Sequence, residues 1–336
     1  MPVIRSRDLR QETLVIDEAE PLLRHLGPVV AGALTDPDVT EVYVNPHDHQ
    51  VRLETRSAGR TSFPCTLESE QVEMFLNAAA AREGVLLKSE SPFLETTLPD
   101  EFFRRARLQG FVPPVTREPA FTIRKPPAIV YGLDDYVARL ALWPAHRERL
   151  GLAIRGRESI LVCGSTNSGK TTFANAVIHE ITAIFPSERI VILEDTAELQ
   201  CVADDHLALR TPVGGTLAQL VKATLRASPD RIIVGEVRDE AALDLLDAWA
   251  TGHPGGVATL HATSPAGALA RLDRLAQRAN VPSQAALIVE AVDWIVMMGP
   301  GRRVKSLVRV VGLDEAGRFI IDPVDEGDGQ CELDFP

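Results

Sequence analysis

The first 125 residues combine two kinds of hydrophobic periodicity. Apolar positions recur at helical spacing in two segments and alternate with polar positions in four shorter ones, which predicts a mixed α/β region. Residues 46–49 (Pro-His-Asp-His) are turn formers, so the first two strands are expected to form a hairpin. The predicted helices are 21–34 and 68–82, and the predicted strands are 40–45, 50–55, 104–112 and 120–125.

Beyond residue 133 the pattern changes to short, almost wholly apolar runs that alternate with helical segments. Such runs are typical of strands that are buried on both faces of a parallel sheet. Strands that alternate with helices predict an α/β sheet with right-handed crossovers. The predicted strands are 159–163, 189–193, 231–234 and 257–260, and the predicted helices are 170–183, 217–227 and 240–250.

The two patterns meet at Pro126 and Pro127, a pair that disfavours helix and keeps the chain extended. We therefore predict an N-terminal α/β domain at 1–127 and a linker at 128–135. An α/β nucleotide-binding domain is predicted at 136–321. Residues 322–336 contain six acidic residues and no basic one, which predicts a disordered acidic tail.

Composition and charge argue against a membrane-spanning or secreted protein and against an overall attraction to nucleic acid. The chain has 336 residues and a formal net charge of −12, so nucleic acid or anionic lipid would need a local basic patch. The longest apolar candidate, 285–298, is too short to span a bilayer and contains Glu290 and Asp293. The first 20 residues are too charged for a secretory signal, and the four cysteines form no CxxC pair. We expect a cytoplasmic protein with reduced thiols, peripheral to a membrane at most.

A phosphate-binding motif, G-x-x-x-x-G-K-[ST], follows the apolar run 159–163 and opens a predicted helix. Glycines let backbone N–H groups converge on a phosphate, and the helix N-terminus adds its dipole. Lys170 would neutralise the β- and γ-phosphates, Thr171 would ligate Mg²⁺, and Thr172 would reach the α-phosphate. The sequence therefore predicts that ATP and Mg²⁺ are bound by Gly164, Ser165, Thr166, Asn167, Ser168, Gly169, Lys170, Thr171 and Thr172.

Polar residues follow three other predicted strands. The carboxyl ends of parallel strands meet at one edge of the sheet, which is where the phosphate loop also lies. Glu194 and Glu236 are therefore expected near the γ-phosphate, to hold Mg²⁺ or to orient water, and His261 to contact the γ-phosphate. For Asp195 and Asp239, a role in the site and capping of a following helix stay open as alternatives. His253 is interpreted as structural, and metal binding is not expected at His47 and His49.

Four blocks in this order resemble the secretion and pilus-motor ATPases of the P-loop class. They are GSTNSGKTT, LEDTAEL, LRASPDRIIVGEVRDEAALDLLDAWATGHPGG and ATLHATSPAGALARL. Within that group the chain most resembles the TrbB-type ATPases of conjugative type IV secretion, densely from about residue 118 to 300. The strand before Gly235 lacks the Asp of the family's Walker B motif, so the role of the Walker B acid falls to Glu236. The chain also lacks the paired CxxC zinc module of many type II secretion relatives, which argues against that subgroup.

The resemblance implies a RecA-like domain joined to the smaller N-terminal domain in a hexameric ring. The ring would power conjugative transfer or type IV secretion with inner-membrane partners. It also implies that Glu236 is the general base, that Glu194 and Glu198 form an acidic box, and that His261 belongs to a histidine box. Arginines of the N-terminal domain would contact the nucleotide, with Arg124 the better match and Arg107 the weaker.

Two alternatives share the P-loop core. A P-loop kinase would need an acceptor pocket and a basic lid, and no Arg-rich insertion follows the P-loop. A nucleic-acid motor would need stacking and basic residues along a strand, whereas aromatic residues make up only 5% of the chain. Stable nucleic-acid binding is therefore not expected.

Overall fold

The computed structural model describes residues 8–126, 130–212 and 214–324. The chain divides into two compact units, Met1–Ala128 and Ile129–Pro336. The predicted linker at 128–135 falls at this division, and its residues 128 and 129 lie outside the described residues. Its last three residues are helical, because a helix begins at Leu133. The Asp135 carboxylate accepts the N–H of Gly132 at 2.8 Å and so caps this helix.

The first unit is a six-stranded antiparallel sheet with helices on one face. Its strand order is β3-β2-β1-β6-β5-β4. Apolar residues such as Val42, Leu108 and Ile123 point to the helical face and pack with Leu22 and Phe75. The other face carries mostly polar and charged side chains. The elements are α1 (Asp8–Thr35), β1 (Val39–Val44), β2 (Gln50–Thr55), β3 (Gly59–Thr66), α2 (Ser69–Arg82), β4 (Phe93–Thr97), α3 (Asp100–Phe103), β5 (Arg107–Phe111) and β6 (Ala120–Arg124).

In this unit one predicted strand is wrong in its bounds, and strands β3 and β4 and helix α3 were not predicted. The strand predicted at 104–112 begins only at Arg107, because Arg104 and Arg105 have φ of 51° and 60°, outside the range of a β-strand. Strand β3 was not predicted, since it is an exposed edge strand that contains Pro64 and lacks a buried alternation. Edge strands carry little of the hydrophobic pattern that reveals central ones.

The second unit is an eight-stranded sheet with helices on both faces. Its order is β14-β13-β12-β7-β11-β10-β8-β9, and the six strands from β12 to β9 are parallel. The elements are α4 (Leu133–Ala138), α5 (Pro144–Arg155), β7 (Ile160–Gly164), α6 (Lys170–Ile184), β8 (Ile190–Glu194), β9 (His206–Arg210), α7 (Leu217–Thr224), β10 (Arg231–Val234), α8 (Ala241–Thr251), β11 (Val257–His261), α9 (Pro265–Ala276), α10 (Ala285–Ala291), β12 (Trp294–Met298), β13 (Val304–Leu313) and β14 (Phe319–Pro323).

The predicted parallel strands all lie in the centre of this sheet, where both faces are covered. One core packs α7 to α10 on the sheet and the other packs α4 to α6 on the opposite face. Residues 322 and 323, which were predicted to belong to the disordered acidic tail, instead end β14, which pairs with β13. Residues 325–336 lie outside the described residues. No helix in the described ranges has the length and apolar character that crossing a bilayer requires.

A buried arginine connects several segments at the amino-terminal ends of the parallel strands, opposite to the ends where the P-loop lies. Arg231 is fully buried, and its guanidinium donates to the Glu188 carboxylate and to the carbonyl of Gly255 at 2.8 Å. Its remaining nitrogen lies 3.4 Å from the carbonyl of Ile154. Arg231 therefore joins β10 to the segment before β8, the turn before β11 and the end of α5.

Arg231→Ala should lower the free energy of unfolding of the second unit by about 3 kcal/mol, because removing one partner of a buried ion pair leaves buried polar groups unpaired. All three tryptophans of the chain lie in this unit, so urea denaturation followed by tryptophan fluorescence measures it selectively. The control is Arg318→Ala, which removes an exposed ion pair with Asp314 and should cost less than about 1 kcal/mol. Equal losses for the two variants would contradict this account.

Candidate active site at the carboxyl edge of the sheet

The phosphate loop connects β7 to α6 in a closed turn. The Ser168 hydroxyl donates to the carbonyl of Ser165 at 2.8 Å, and a side chain at Gly164 would collide with that hydroxyl. Gly169 has φ of 88° and is the N-cap of α6, a left-handed conformation that favours glycine. Both glycines of the motif are therefore required by the turn, which brings Lys170 to the start of the helix with Thr171 and Thr172 in its first turn.

Lys170 is the most constrained cation of the loop. Its side chain is largely buried, and its Nζ donates to the carbonyl of Ser165 at 2.8 Å. The same ammonium lies 3.2 Å from Nδ1 of His261. Burial lowers the pKa of Lys170, and the charges of Glu236 and Glu198 oppose that shift. The lysine thus meets the predicted histidine directly, as expected if both face one phosphate.

His261 lies between this lysine and the glutamate of the next strand. It ends β11, opposite Gly164 of β7, and its Nε2 is 3.2 Å from Oε1 of Glu236. Burial lowers the pKa of His261 and outweighs the charge of Glu236, with Lys170, Arg271 and Arg238 adding to the lowering. The ring is therefore neutral at pH 7. The two contacts assign Nδ1 as the acceptor from Lys170 and Nε2–H as the donor to Glu236.

Glu236 has partners on both carboxylate oxygens. Oε2 accepts a hydrogen bond of 2.8 Å from Arg238, and Oε1 faces His261. Burial alone would raise the pKa of Glu236, but the hydrogen bond and charge of Arg238, with the charge of Lys170, bring it below its ordinary value. Glu236 is therefore ionised at neutral pH, which is the state that a general base requires.

Glu194 is placed differently from Glu236. It ends β8 and is 5% exposed, and its Oε1 accepts the backbone N–H groups of Glu198 and Leu199 at 2.9 and 2.8 Å. Its Cγ would lie 3.0 Å from a Cβ at Gly235, so only glycine leaves room for it there. Glu194 holds the acidic loop that contains Glu198. Its predicted role as a magnesium ligand stays a prediction.

The two aspartates have separate outcomes. Asp239 accepts the N–H of Ala241, the first residue of α8, at 3.0 Å, which favours the capping alternative, and its role in the site stays a prediction. No helix follows Asp195, so capping was the wrong alternative there. Asp195 instead accepts the hydroxyl of Thr211 at 2.9 Å and lies 3.9 Å from the guanidinium of Arg238.

These contacts form one line across the sheet, which we call the polar row. It crosses β7, β11, β10, β8 and β9 in their spatial order. Arg238 lies in this row between Glu236 and Asp195, and the sequence analysis did not assign a role to it. The feature of the sequence that could have indicated a role is its position, two residues after the predicted general base. The polar row consists of Lys170, His261, Glu236, Arg238, Asp195 and Thr211.

The two predicted arginines of the first unit are neighbours. Arg107 of β5 and Arg124 of β6 are directly opposite in the antiparallel register, an arrangement of like charges that is unfavourable unless it is offset. Arg124 lies 3.4 Å from Glu41, and Arg107 donates to Glu95. Their contact with a nucleotide stays a prediction.

The three other histidines for which the sequence made a prediction have local partners. Nδ1 of His253 lies 3.0 Å from the carbonyl of Pro229, in agreement with the structural interpretation. His47 and His49 lie beside Asp48 and Glu118. Within the described ranges, no group of three or more His, Cys, Asp and Glu residues could hold a metal ion.

The donor set of the loop fits a nucleoside triphosphate with Mg²⁺. The N-terminal amides of α6 and the Lys170 ammonium are hydrogen-bond donors suited to phosphate oxygens. The Thr171 hydroxyl and the Glu194 carboxylate are the oxygen ligands that Mg²⁺ prefers.

Comparisons with known proteins agree with this geometry. The family model described as "Type II/IV secretion system protein" matches residues 17–303. A probable conjugal transfer protein TrbB of Sinorhizobium fredii is 42% identical over 288 residues, which are 85% of this chain and 87% of that protein. Protein VirB11 of Agrobacterium fabrum is 31% identical over 319 residues, 83% of this chain and 90% of that protein.

Two solved structures share the fold. The pilus retraction motor PilT, solved with bound ADP, is 19% identical with a TM-score of 0.59, over 87% of this chain and 80% of that one. The Legionella pneumophila ATPase DotB is 18% identical with a TM-score of 0.54, over 89% and 78%. The predicted fold class, a RecA-like P-loop domain with a smaller N-terminal α/β domain, is confirmed. The chain belongs to the type II/IV secretion system protein family, and the resemblance to TrbB-type conjugative ATPases predicted from its four sequence blocks is confirmed.

Proposed function

We propose that this secretion ATPase uses Glu236 as the general base for ATP hydrolysis. The observation that supports the proposal is the position of Glu236, an ionised carboxylate at the end of β10 that reaches Lys170 of the P-loop through His261. The chain is an ATPase by its family. Which residues carry out the reaction is the part that we propose.

The reaction needs little covalent chemistry from the protein. Lys170 and the amides at the start of α6 would hold the β- and γ-phosphates. A water molecule attacks the γ-phosphorus, its proton passes to the Glu236 carboxylate, and the bond from the γ-phosphorus to the bridging oxygen breaks to release ADP and inorganic phosphate. His261, neutral and joined to both Lys170 and Glu236, would couple the occupancy of the phosphate site to the orientation of the base.

Thr171 and Glu194 would hold Mg²⁺, which when bound neutralises charge on the phosphates. The backbone N–H groups that donate to Glu194 favour its ionised form, and this form is the one that can bind a cation. Glu198, whose charge opposes the lowered pKa of Lys170, would add to the negative potential at the same edge.

The first unit would supply Arg124 and Arg107 to the nucleotide. Two guanidinium groups side by side on neighbouring strands are suited to bidentate contact with phosphate. These arginines, which face Glu41 and Glu95, would exchange the carboxylates for the more highly charged phosphates.

The names of the relatives support a role in conjugation. TrbB is named as a conjugal transfer protein, and we propose the same role for this chain, in a homo-oligomeric, hexameric ring. The ring would be cytoplasmic and would act at the inner-membrane components of a transfer apparatus. Family membership does not favour the P-loop kinase or the nucleic-acid motor.

Glu236→Gln should retain ATP binding and lose hydrolysis by at least about a hundredfold, because an amide is a poor base for water. Phosphate release without any acceptor and equilibrium binding of ATP measure the two effects separately. Glu315→Gln, an exposed residue in the turn after β13, is the matched control and should hydrolyse ATP normally. Hydrolysis at the wild-type rate by Glu236→Gln would exclude Glu236 as the base.

In Arg238→Gln, the decrease of kcat on the acid side of its pH profile should occur at a higher pH than in the wild type. Arg238 lowers the pKa of Glu236 against the effect of burial, so its removal raises that pKa, and the base becomes protonated at a higher pH. The pH profile of kcat measures the shift, with Arg318→Gln as a control at the opposite edge of the sheet. An unchanged profile would show that Arg238 does not tune the base.

A further inference from the structure

The turn after β12 passes beside the P-loop. β12 is the parallel neighbour of β7 on the side away from β11, and Met298 lies opposite Gly164. Residues 299–303 (Gly-Pro-Gly-Arg-Arg) then reverse the chain into β13, through a 3-10 helix at Pro300–Arg302. The N–H of Gly299 donates to the carbonyl of Arg303 at 2.8 Å. The turn is therefore closed by a backbone hydrogen bond.

The backbone of this turn holds Arg302 in an uncommon conformation. Gly301 and Arg302 have φ of 69° and 59°, and consecutive left-handed residues are uncommon where the second is not glycine. Two residues after Arg302, the N–H of Val304 donates to the carbonyl of Ala141 at 2.8 Å. The turn is thus anchored on both sides, and Arg302 projects from a fixed position.

The stem of Arg302 lies against the P-loop itself. A Cβ at Gly169 would be 3.1 Å from both Cβ and Cγ of Arg302 and 3.6 Å from its Cα. Gly169 immediately precedes Lys170, at the N-terminus of α6. The arginine therefore covers the glycine that opens the phosphate-binding helix, and a bulkier residue at 169 would have to displace it.

The guanidinium of Arg302 remains exposed, and it makes no hydrogen bond or ion pair with the residues in the described ranges. Its charge acts on Tyr136, where burial raises the pKa to about 12 and Arg302 opposes the rise. The ring of Tyr136 packs on Phe173 of α6 at 5.1 Å between ring centroids. Arg302 thus adds a cation close to the first turn of that helix.

The two sides of β7 offer different chemistry to a nucleotide. On one side, β11 and β10 carry His261 and Glu236, where the γ-phosphate is hydrolysed in the proposed function. In that arrangement the γ-end of a triphosphate would face this side, and its α- and β-phosphates would lie nearer the β12 side. A guanidinium there matches the geometry of phosphate oxygens.

We propose that Arg302 binds the diphosphate portion of ADP and ATP from the β12 side of the P-loop. The inference rests on the proposed nucleotide site but not on Glu236 as the base. Arg302 would then determine affinity for both nucleotides and contribute little to discrimination between them.

Equilibrium binding of MgADP and of MgATP to the full chain tests this, at a low and a moderate salt concentration. Arg302→Ala should weaken both nucleotides by about tenfold and by the same factor, since both contain the diphosphate. Arg302→Lys should recover part of the loss, because the ammonium keeps the charge without the bidentate geometry. Arg302→Asn should lose the same affinity for the two nucleotides as Arg302→Ala does. Because asparagine tolerates the left-handed conformation, an equal loss in this variant shows that the effect does not come from a change in the backbone of the turn.

The matched control is Arg318→Ala, which removes an exposed guanidinium from the turn between β13 and β14 at the opposite edge of the sheet. Its affinities should be those of the wild type. If Arg302→Ala binds ADP as tightly as Arg318→Ala does, or loses only ATP affinity, the inference is overturned while the proposed function stands. A wild-type chain that binds neither nucleotide would overturn both.

Discussion

A buried ammonium that must be paired is the constraint on which this site depends. Lys170 is only 7% exposed, and a charge removed from water is costly unless hydrogen bonds replace the water. The carbonyl of Ser165 provides one such bond and the neutral imidazole of His261 provides the second contact. Because phosphate oxygens would satisfy the same ammonium more strongly than an imidazole does, nucleotide binding and the state of His261 are coupled through one side chain.

The order of the strands in the sheet extends the contact between Lys170 and His261 into a row of polar contacts. The polar row passes from Lys170 to His261, Glu236, Arg238 and Asp195, and every step except that from Glu236 to Arg238, which both follow β10, crosses to the next parallel strand. Side chains that are far apart in sequence meet because parallel strands end at a common edge. The row consequently connects the phosphate loop with Thr211 beyond β9, at the far edge of the sheet.

Four central strands and the P-loop could be predicted because their signals are local, whereas the equally buried β12 was not predicted. The apolar runs that form β7, β8, β10 and β11 are buried on both faces, and Gly164 and Lys170 stand at fixed spacing between a strand and a helix. Edge strands β3 and β9 escaped prediction, since half-exposed residues leave a weak pattern. Arg238 and Arg302 escaped for another reason. Their importance depends on Glu236 and Gly169, which they meet only through the turns of the folded chain.

The coupling of Lys170 to His261 can be measured most directly by ¹⁵N NMR of histidine-labelled protein. His261→Gln identifies the His261 signal among the eight histidines. The account predicts a neutral ring at pH 7 with an unprotonated Nδ1, whose resonance shifts when MgADP saturates the site, because Lys170 turns to the phosphates. The resonance should also shift in Lys170→Ala without nucleotide. A His261 Nδ1 resonance that is the same in wild type with and without saturating nucleotide, or a ring protonated at pH 7, would contradict the account.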